Sequence, residues 1–135
     1  MALASVEDDV VDLLDGIGGL TKGTNLFSGP VRSADRTPSP CVFVQETAGL
    51  APRHHRGTVE LRYPGVMVRV RSAEESFEAG LTLARLVVST LHRNPPSGYI
   101  ELAVDSSRPN PLGRDEKGHW EWSINATATI DETLG

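Results

Sequence analysis

The chain of 135 residues is 39% hydrophobic and 23% charged, which predicts one domain with a core of its own. It has no apolar run long enough to cross a bilayer and one cysteine, Cys41, so neither a membrane partner nor an internal disulfide is expected. Glu7, Asp8 and Asp9 stand where a signal peptide needs positive charge, so secretion by that route is not expected. The net charge of -5 disfavours nucleic acid as a binding partner.

The first predicted element is an acidic amphipathic helix. Ser5, with Asp8 three residues later, has the spacing of a helix cap. The apolar stripe that follows comprises Val6, Val10, Leu13, Leu14 and Ile17. Farther along, Cys41 to Gln45 is a compact apolar run bounded by turn residues, which predicts a buried strand.

The segment 47–57, TAGLAPRHHRG, is basic and lacks apolar periodicity. It predicts a long exposed loop, and loops of this length in a small domain are commonly functional or disordered. Arg53, His54, His55 and Arg56 in this loop are therefore candidate contacts with a partner. The adjacent histidines are not expected to share a metal ion, because neighbouring side chains on an extended chain point to opposite sides.

A half-buried strand is predicted at residues 66–71, where valines alternate with Met67, Arg69 and Arg71. Arg69 and Arg71 share one face of this strand. They could pair across strands with Glu101 or Asp105, or contact a partner. We retain both arginines as candidate contact residues.

A long helix follows this strand directly. Ser72 and Glu75 have the spacing of a capping box at its start, and Pro95 predicts its end near His92–Asn94. The predicted apolar stripe comprises Phe77, Leu81, Ala84, Val88 and Leu91. Leu86 lies opposite this stripe, so it is expected to be exposed, either as an isolated surface leucine or as a contact.

The C-terminal part predicts more strands. Residues 99–105 and 120–130 alternate in polarity, and Asp115–Glu116–Lys117–Gly118 predicts a hairpin tip with Gly118 at positive φ. The chain therefore predicts an α+β fold, a single domain in which two helices pack on one face of a mostly antiparallel sheet. The expected core comprises Val66, Val68, Val70, Phe77, Leu81, Val88, Leu102, Trp120, Trp122 and Ile124.

No pattern indicates catalysis, a cofactor or a metal site. Cys41 lies in an apolar strand, which does not favour a reactive thiolate. A small enzyme or ligand-binding domain using His119, Asp115 and Arg108 near the hairpin stays open as an alternative from another class. Alanine at these three positions would abolish an activity in that case, but would leave a scaffold competent.

Charge is distributed unevenly along the chain. Acidic residues crowd the first helix, and arginines crowd the middle of the sequence. Such asymmetry is typical of solvated surfaces. It also fits a subunit with one acidic and one basic surface, suited to head-to-tail association.

Three segments together carry a family resemblance: YPGVMVRVRS with its helix, SGYIELAVDSSRPNPLGRDEKGHWEWSINATATI, and more loosely TNLFSGPVRS. Their order and spacing, with Pro111, Gly113, Asp115, Glu116 and Gly118 at the hairpin, resemble the tail terminator, or minor capsid, family of long-tailed bacteriophages. The acidic first helix and the pair His54–His55 have no counterpart in that pattern.

The resemblance implies a structural virion protein that is not an enzyme. Such proteins form a ring, commonly of six copies, that caps the tail tube protein and joins the tail to the head connector or stopper protein. The implied location is the virion neck, after synthesis in the host cytoplasm, with DNA passing through the lumen without specific binding. A head-completion or connector adaptor of the neck is the alternative within virion assembly.

Overall fold

In the part of the chain that the structure describes, two helices pack on one face of a six-stranded sheet, which confirms the predicted α+β class. The computed structural model describes residues 5–30, 40–55, 59–115 and 117–133, with only the backbone for 50–55, 59–60, 74, 132 and 133. The helices are α1 (Val6–Leu14) and α2 (Phe77–Leu91). The strands are β1 (Leu26–Ser28), β2 (Cys41–His55), β3 (Val59–Glu74), β4 (Glu101–Val104), β5 (Asn110–Arg114) and β6 (His119–Thr133).

The strand order β1-β2-β3-β6-β4 gives the molecule two different lateral edges. Strand β5 pairs with β6, and every pairing except β1 with β2 is antiparallel. Helix α1 packs over β1 and β2, whereas α2 packs over β3, β4 and β6. One lateral edge therefore carries α1, and the other carries the outer flank of α2.

The face beneath the helices holds the main core. Val66, Val68 and Val70 of β3 are buried there with Trp122 and Ile124 of β6, as the alternating pattern predicts. Full burial of each such side chain contributes about 1.5–3 kcal/mol relative to exposure. The valines from β2 and the apolar side of α1 complete this cluster.

Helix α2 is rotated relative to its predicted orientation. Its buried residues are Gly80, Leu83, Ala84, Val87 and Leu91, whereas Phe77 is 40% exposed and Leu81, Val88 and Trp120 are only partly buried. The reason is the contact with Trp122, because a Cβ at Gly80 would lie 2.6 Å from the indole ring. The glycine lets the helix pack directly on the tryptophan. Ala84 and Leu91 of the predicted stripe are buried as expected, whereas Phe77, Leu81 and Val88 lie toward the flank.

The predicted capping box at Ser72 and Glu75 is wrong. Strand β3 continues to Glu74, and Ser76 occupies the N-cap position of α2. Ser72 is buried, and its hydroxyl donates to the Ala73 carbonyl and accepts from the Trp120 backbone N–H at 2.9 Å. Pairing with β6 therefore uses the side chain that would otherwise cap the helix.

The predicted exposed loop at 47–57 is also wrong. Residues 47–55 belong to β2, which pairs with β3 through to His55 opposite Val59, and residues 56 and 57 lie outside the described residues. Residues 47–55 do not alternate apolar with polar side chains, so this segment lacks the period of two by which a half-buried strand is recognised.

Candidate assembly surfaces

The far ends of β2, β3 and β6 form a three-stranded arm beyond the helix-covered part of the sheet. The arm comprises residues 50–55, 59–63 and 130–133, and its ladder runs from Leu61 opposite Asp131 to Val59 opposite Thr133. Both free edges of the arm lack a neighbouring strand among the described residues. Strand β1 pairs only with 42–44, and β4 pairs only with 126–129. Unpaired strand edges are ready templates for pairing with another chain.

A kink separates the arm from the body of the sheet. The pairing of β2 with β3 shifts register between Thr47 and Leu50, where Gly49 has a φ of 68°. A Cβ at Gly49 would lie 2.1 Å from the Tyr63 carbonyl oxygen and 2.5 Å from the Gly65 nitrogen. Only glycine permits this close approach of two backbones, so position 49 sets where the arm leaves the body.

The predicted contacts at the arm are placed only in part. The backbones of Arg53, His54 and His55 lie in the arm, paired with Leu61, Glu60 and Val59, whereas Arg56 lies outside the described residues. These positions are on the edge strand of the arm, where a second chain could pair.

Arg71, predicted as a contact, lies in the interior of the face opposite the helices. It is 5% exposed, its Nε lies 3.3 Å from a Glu121 carboxylate oxygen, and its guanidinium lies 5.4 Å from the Phe43 ring centroid. The expected pairing with Glu101 or Asp105 is therefore wrong. Its position across the ladder from Glu121 explains the choice of partner.

Arg69 and Leu86 are more accessible than Arg71. Arg69 is partly buried between Phe43 and Ser123 in the ladder, and its Nε has no hydrogen-bond partner among the described residues. Leu86 is 37% exposed, as predicted, and lies beside Gly18 of the α1–β1 connection. Both remain candidates for contact with a neighbour.

Several carboxylates of the acidic helix contact the rest of the fold. Glu7 accepts a hydrogen bond from the Glu46 backbone N–H at 2.9 Å, and Asp9 accepts one from the Tyr99 hydroxyl at 2.7 Å. Burial, together with the bond to Asp9, raises the pKa of Tyr99 far above its ordinary value. Burial, and then repulsion from Glu7, also raises the pKa of the Glu46 carboxyl. These contacts tie α1 to β2 and to the segment before β4.

The remaining acidic residues of this region form a separate surface. Asp8, Asp12 and Asp15 are exposed and spaced four and three residues apart, which places them in one line along the helix and its C-cap. Lys22 lies beside them, with its Nζ 2.8 Å from Asp12. We call these three residues the acidic stripe. The spacing of these three aspartates is a feature of the sequence itself and indicates one face of the helix.

The third candidate surface is a groove between α2 and the β4–β5 connection, which the sequence analysis did not predict. Arg85, Val88 and Ser89 form one wall, and Ser107, Arg108 and Pro109 form the other, around a space of about 480 Å³. The groove continues toward His92, Val104 and Asp105, so its continuation carries one carboxylate, whereas the part around Arg85 and Arg108 carries none. We call it the α2 groove. Pairing of β4 and β5 with the same strand, β6, brings these distant segments together.

The residues of the enzyme alternative are not brought into one pocket. Asp115 accepts hydrogen bonds from the backbone N–H groups of Lys117 and His119, and these hold its pKa below the ordinary value even though burial alone would raise it. His119 is buried, with Nδ1 3.0 Å from the Ser72 carbonyl oxygen. Arg108 lines the α2 groove instead. Both hairpin residues hold the turn and its junction with β3.

Among the described residues, no group of three or more His, Cys, Asp or Glu side chains is placed to hold a metal ion. Neither helix of that part of the chain is long and apolar enough to span a membrane.

Comparison with known proteins gives this architecture a biological setting. The fold is similar to that of one chain of a structure titled "Virion of native gene transfer agent (GTA) particle", which superposes with a TM-score of 0.66 at 13% identity, over 94% of this chain and 95% of that one. The sequence profile described as bacteriophage tail terminator protein matches residues 13–132. The chain belongs to the bacteriophage tail terminator family and is a structural protein of a phage tail. No curated protein matches the chain.

Proposed function

We propose that this protein forms a ring, of six copies, that caps the tail tube and joins the tail to the head connector. The family match over residues 13–132 is the observation that carries this proposal. The ring would lie in the virion neck after assembly of subunits made in the host cytoplasm. Its partners are further copies of itself, the tail tube protein and the connector or stopper protein.

The shape of the subunit supports a ring. A closed ring needs two different patches on each subunit, since contacts in a cyclic assembly are head-to-tail. The lateral edges of this molecule differ, because one carries β1 and α1 and the other carries β4, β5 and the flank of α2. The free edge of β2 in the arm of one copy can pair with the free edge of β6 in the next.

The contact residues that we propose follow from this placement. The backbones of Arg53, His54 and His55 belong to the arm, Arg69 lies on the sheet face opposite the helices, and Leu86 lies on the exposed side of α2. Arg56, the fourth proposed contact of this segment, lies outside the described residues. Arg71 would act by stabilising that sheet face instead of by direct contact. The negative net charge of the chain suits a lumen through which DNA passes without specific binding.

The ring is tested on assembled tails. Native mass spectrometry and electron microscopy of the protein bound to polymerised tail tubes should show one closed ring of six copies at one end of each tube. Hydrogen exchange of the same sample should show slower exchange at the edge amides of residues 50–55, with the exposed turn at 97–98 as the control. A dimer that persists on polymerised tubes would contradict the proposal.

The neck adaptor is tested by position. A gold-labelled subunit should lie in the layer that contacts the last ring of the tail tube. A label found only in the layer attached to the head portal, in particles whose tails lack it, would favour a head-completion adaptor.

A further inference from the structure

The α2 groove presents two basic groups, Arg85 and Arg108, at its surface. Arg85 and Arg108 are both exposed, and no carboxylate among the described residues forms an ion pair with either guanidinium. By contrast, Arg71 is paired with Glu121 and Arg114 with Glu75. Val88, which is partly buried, lines the groove between the two arginines. The surface therefore suits a partner segment with several carboxylates and some apolar area.

The acidic stripe at the opposite lateral edge has this chemistry. Lys22 is the cation paired with it among the described residues, and three carboxylates face this one ammonium group. The hydrogen bond that the Lys22 ammonium group donates to Asp12, followed by the negative charges of Asp12, Asp8 and Asp15, raises the pKa of Lys22. The stripe thus keeps an excess of negative charge on a rigid helix. Leu13 and Ile17, both partly buried, lie on the same segment and could contribute apolar contact.

We infer that the α2 groove of one subunit binds the acidic stripe of a second copy in the proposed ring. The two surfaces lie at opposite lateral edges, α1 over β1 and β2 and the groove beside β4 and β5, as a head-to-tail contact requires. A two-fold dimer through the groove would instead place arginine against arginine, which is unfavourable. The inference rests on the proposed ring and names one of its contacts.

Charge reversal with complementation tests this contact. Variant A carries Asp8→Lys, Asp12→Lys and Asp15→Lys, and variant B carries Arg85→Glu and Arg108→Glu. In each variant alone, the stripe and the groove of neighbouring subunits carry charges of the same sign. The affinity of its subunits for the ring on tail tubes should therefore weaken about 100-fold. A mixture of A and B in equal amounts should assemble again, because the reversed stripe of A fits the reversed groove of B, and the wild-type stripe of B fits the groove of A.

The controls separate folding, surface charge and the ring itself. Arg93→Glu makes one of the two Arg→Glu changes of variant B at an exposed position outside the groove, and it should assemble like the wild type. Circular dichroism should show that A and B remain folded, since all five substituted side chains are exposed. Raising the salt concentration should weaken the contact between wild-type subunits and reduce the difference in ring formation between the wild type and the variants.

The outcomes distinguish the two proposals. If wild type forms rings and A and B alone form them equally well, the groove contact is wrong and the ring stands. If A and B are each defective but the mixture is not restored, each surface serves a different partner, such as the tube or the connector, and the groove contact is again wrong. If wild type forms no ring on tubes, the proposed function fails together with this contact.

Discussion

The two faces of the sheet are built from alternate residues of the same strands, but they are held together differently. The face beneath the helices is continuous and apolar, with Val68 of β3 beside Ile124 of β6. The opposite face combines Phe43 with the ion pair of Arg71 and Glu121. Stability on the first face comes from apolar burial alone, whereas the second face adds an ion pair to a small buried cluster of Phe27, Cys41 and Phe43. The stability of the first face should therefore fall when a buried side chain loses volume, and that of the second when one partner of the ion pair is removed.

The largest expected loss is on the helix-covered face. Trp122→Ala should lower the free energy of unfolding by about 3–5 kcal/mol, because it opens a cavity beneath Gly80 of α2. Urea denaturation measures this change. Phe77→Ala is the matched control, since its ring packs on the same tryptophan but is 40% exposed, and it should cost roughly 1 kcal/mol. Equal losses of unfolding free energy in the two variants would mean that the buried tryptophan stabilises the helix no more than the exposed phenylalanine does.

On the second face, the loss should depend on pairing. Arg71→Met should cost about 3 kcal/mol, because it leaves the Glu121 carboxylate partly buried without its cation. Adding Glu121→Gln should recover part of that loss, and a double-mutant cycle measures the coupling. Arg114→Met is the control: its ion pair with Glu75 is exposed, so the change should cost less than about 1 kcal/mol. Additive losses at Arg71 and Glu121 would exclude coupling across this face.

The smallest effect is expected where α1 meets the edge of β2. Burial and Glu7 raise the pKa of the Glu46 carboxyl in the folded state, so folding favours its protonated form and stability falls as pH rises through that pKa. Glu46→Gln should therefore raise the melting temperature slightly at neutral pH. The gain should vanish in acid, once the wild-type carboxyl is protonated. A gain that is constant from acid to neutral pH would show that charge is not its cause.

The sequence predicts the helix-covered face well because burial there imposes a period of two on β3 and β6. The same reasoning fails for the arm, because residues 50–55 do not alternate in polarity although their strand pairs with β3. It also misplaces the stripe of α2, because the contact between Gly80 and Trp122 joins residues far apart in sequence.

For the candidate surfaces too, features set by local geometry could be predicted from the sequence, whereas features set by strand pairing could not. The exposure of Leu86 could be predicted because it follows from helical geometry alone. The burial of Arg71 could not, because it depends on which residue lies opposite it in β6. The α2 groove requires knowledge of the β4–β5 connection, and its two arginines are brought together only by the pairing of both strands with β6.

The close approach of Gly49 to the backbone at Tyr63 and Gly65 has a consequence for assembly kinetics. The direction of the arm is already set in the isolated subunit, so the arm loses little conformational freedom on docking. Less of the association free energy is therefore spent on ordering it. A bulkier residue at position 49 would change the direction of the arm before any neighbouring subunit binds. Such subunits would then be slow to join, even with every contact side chain intact.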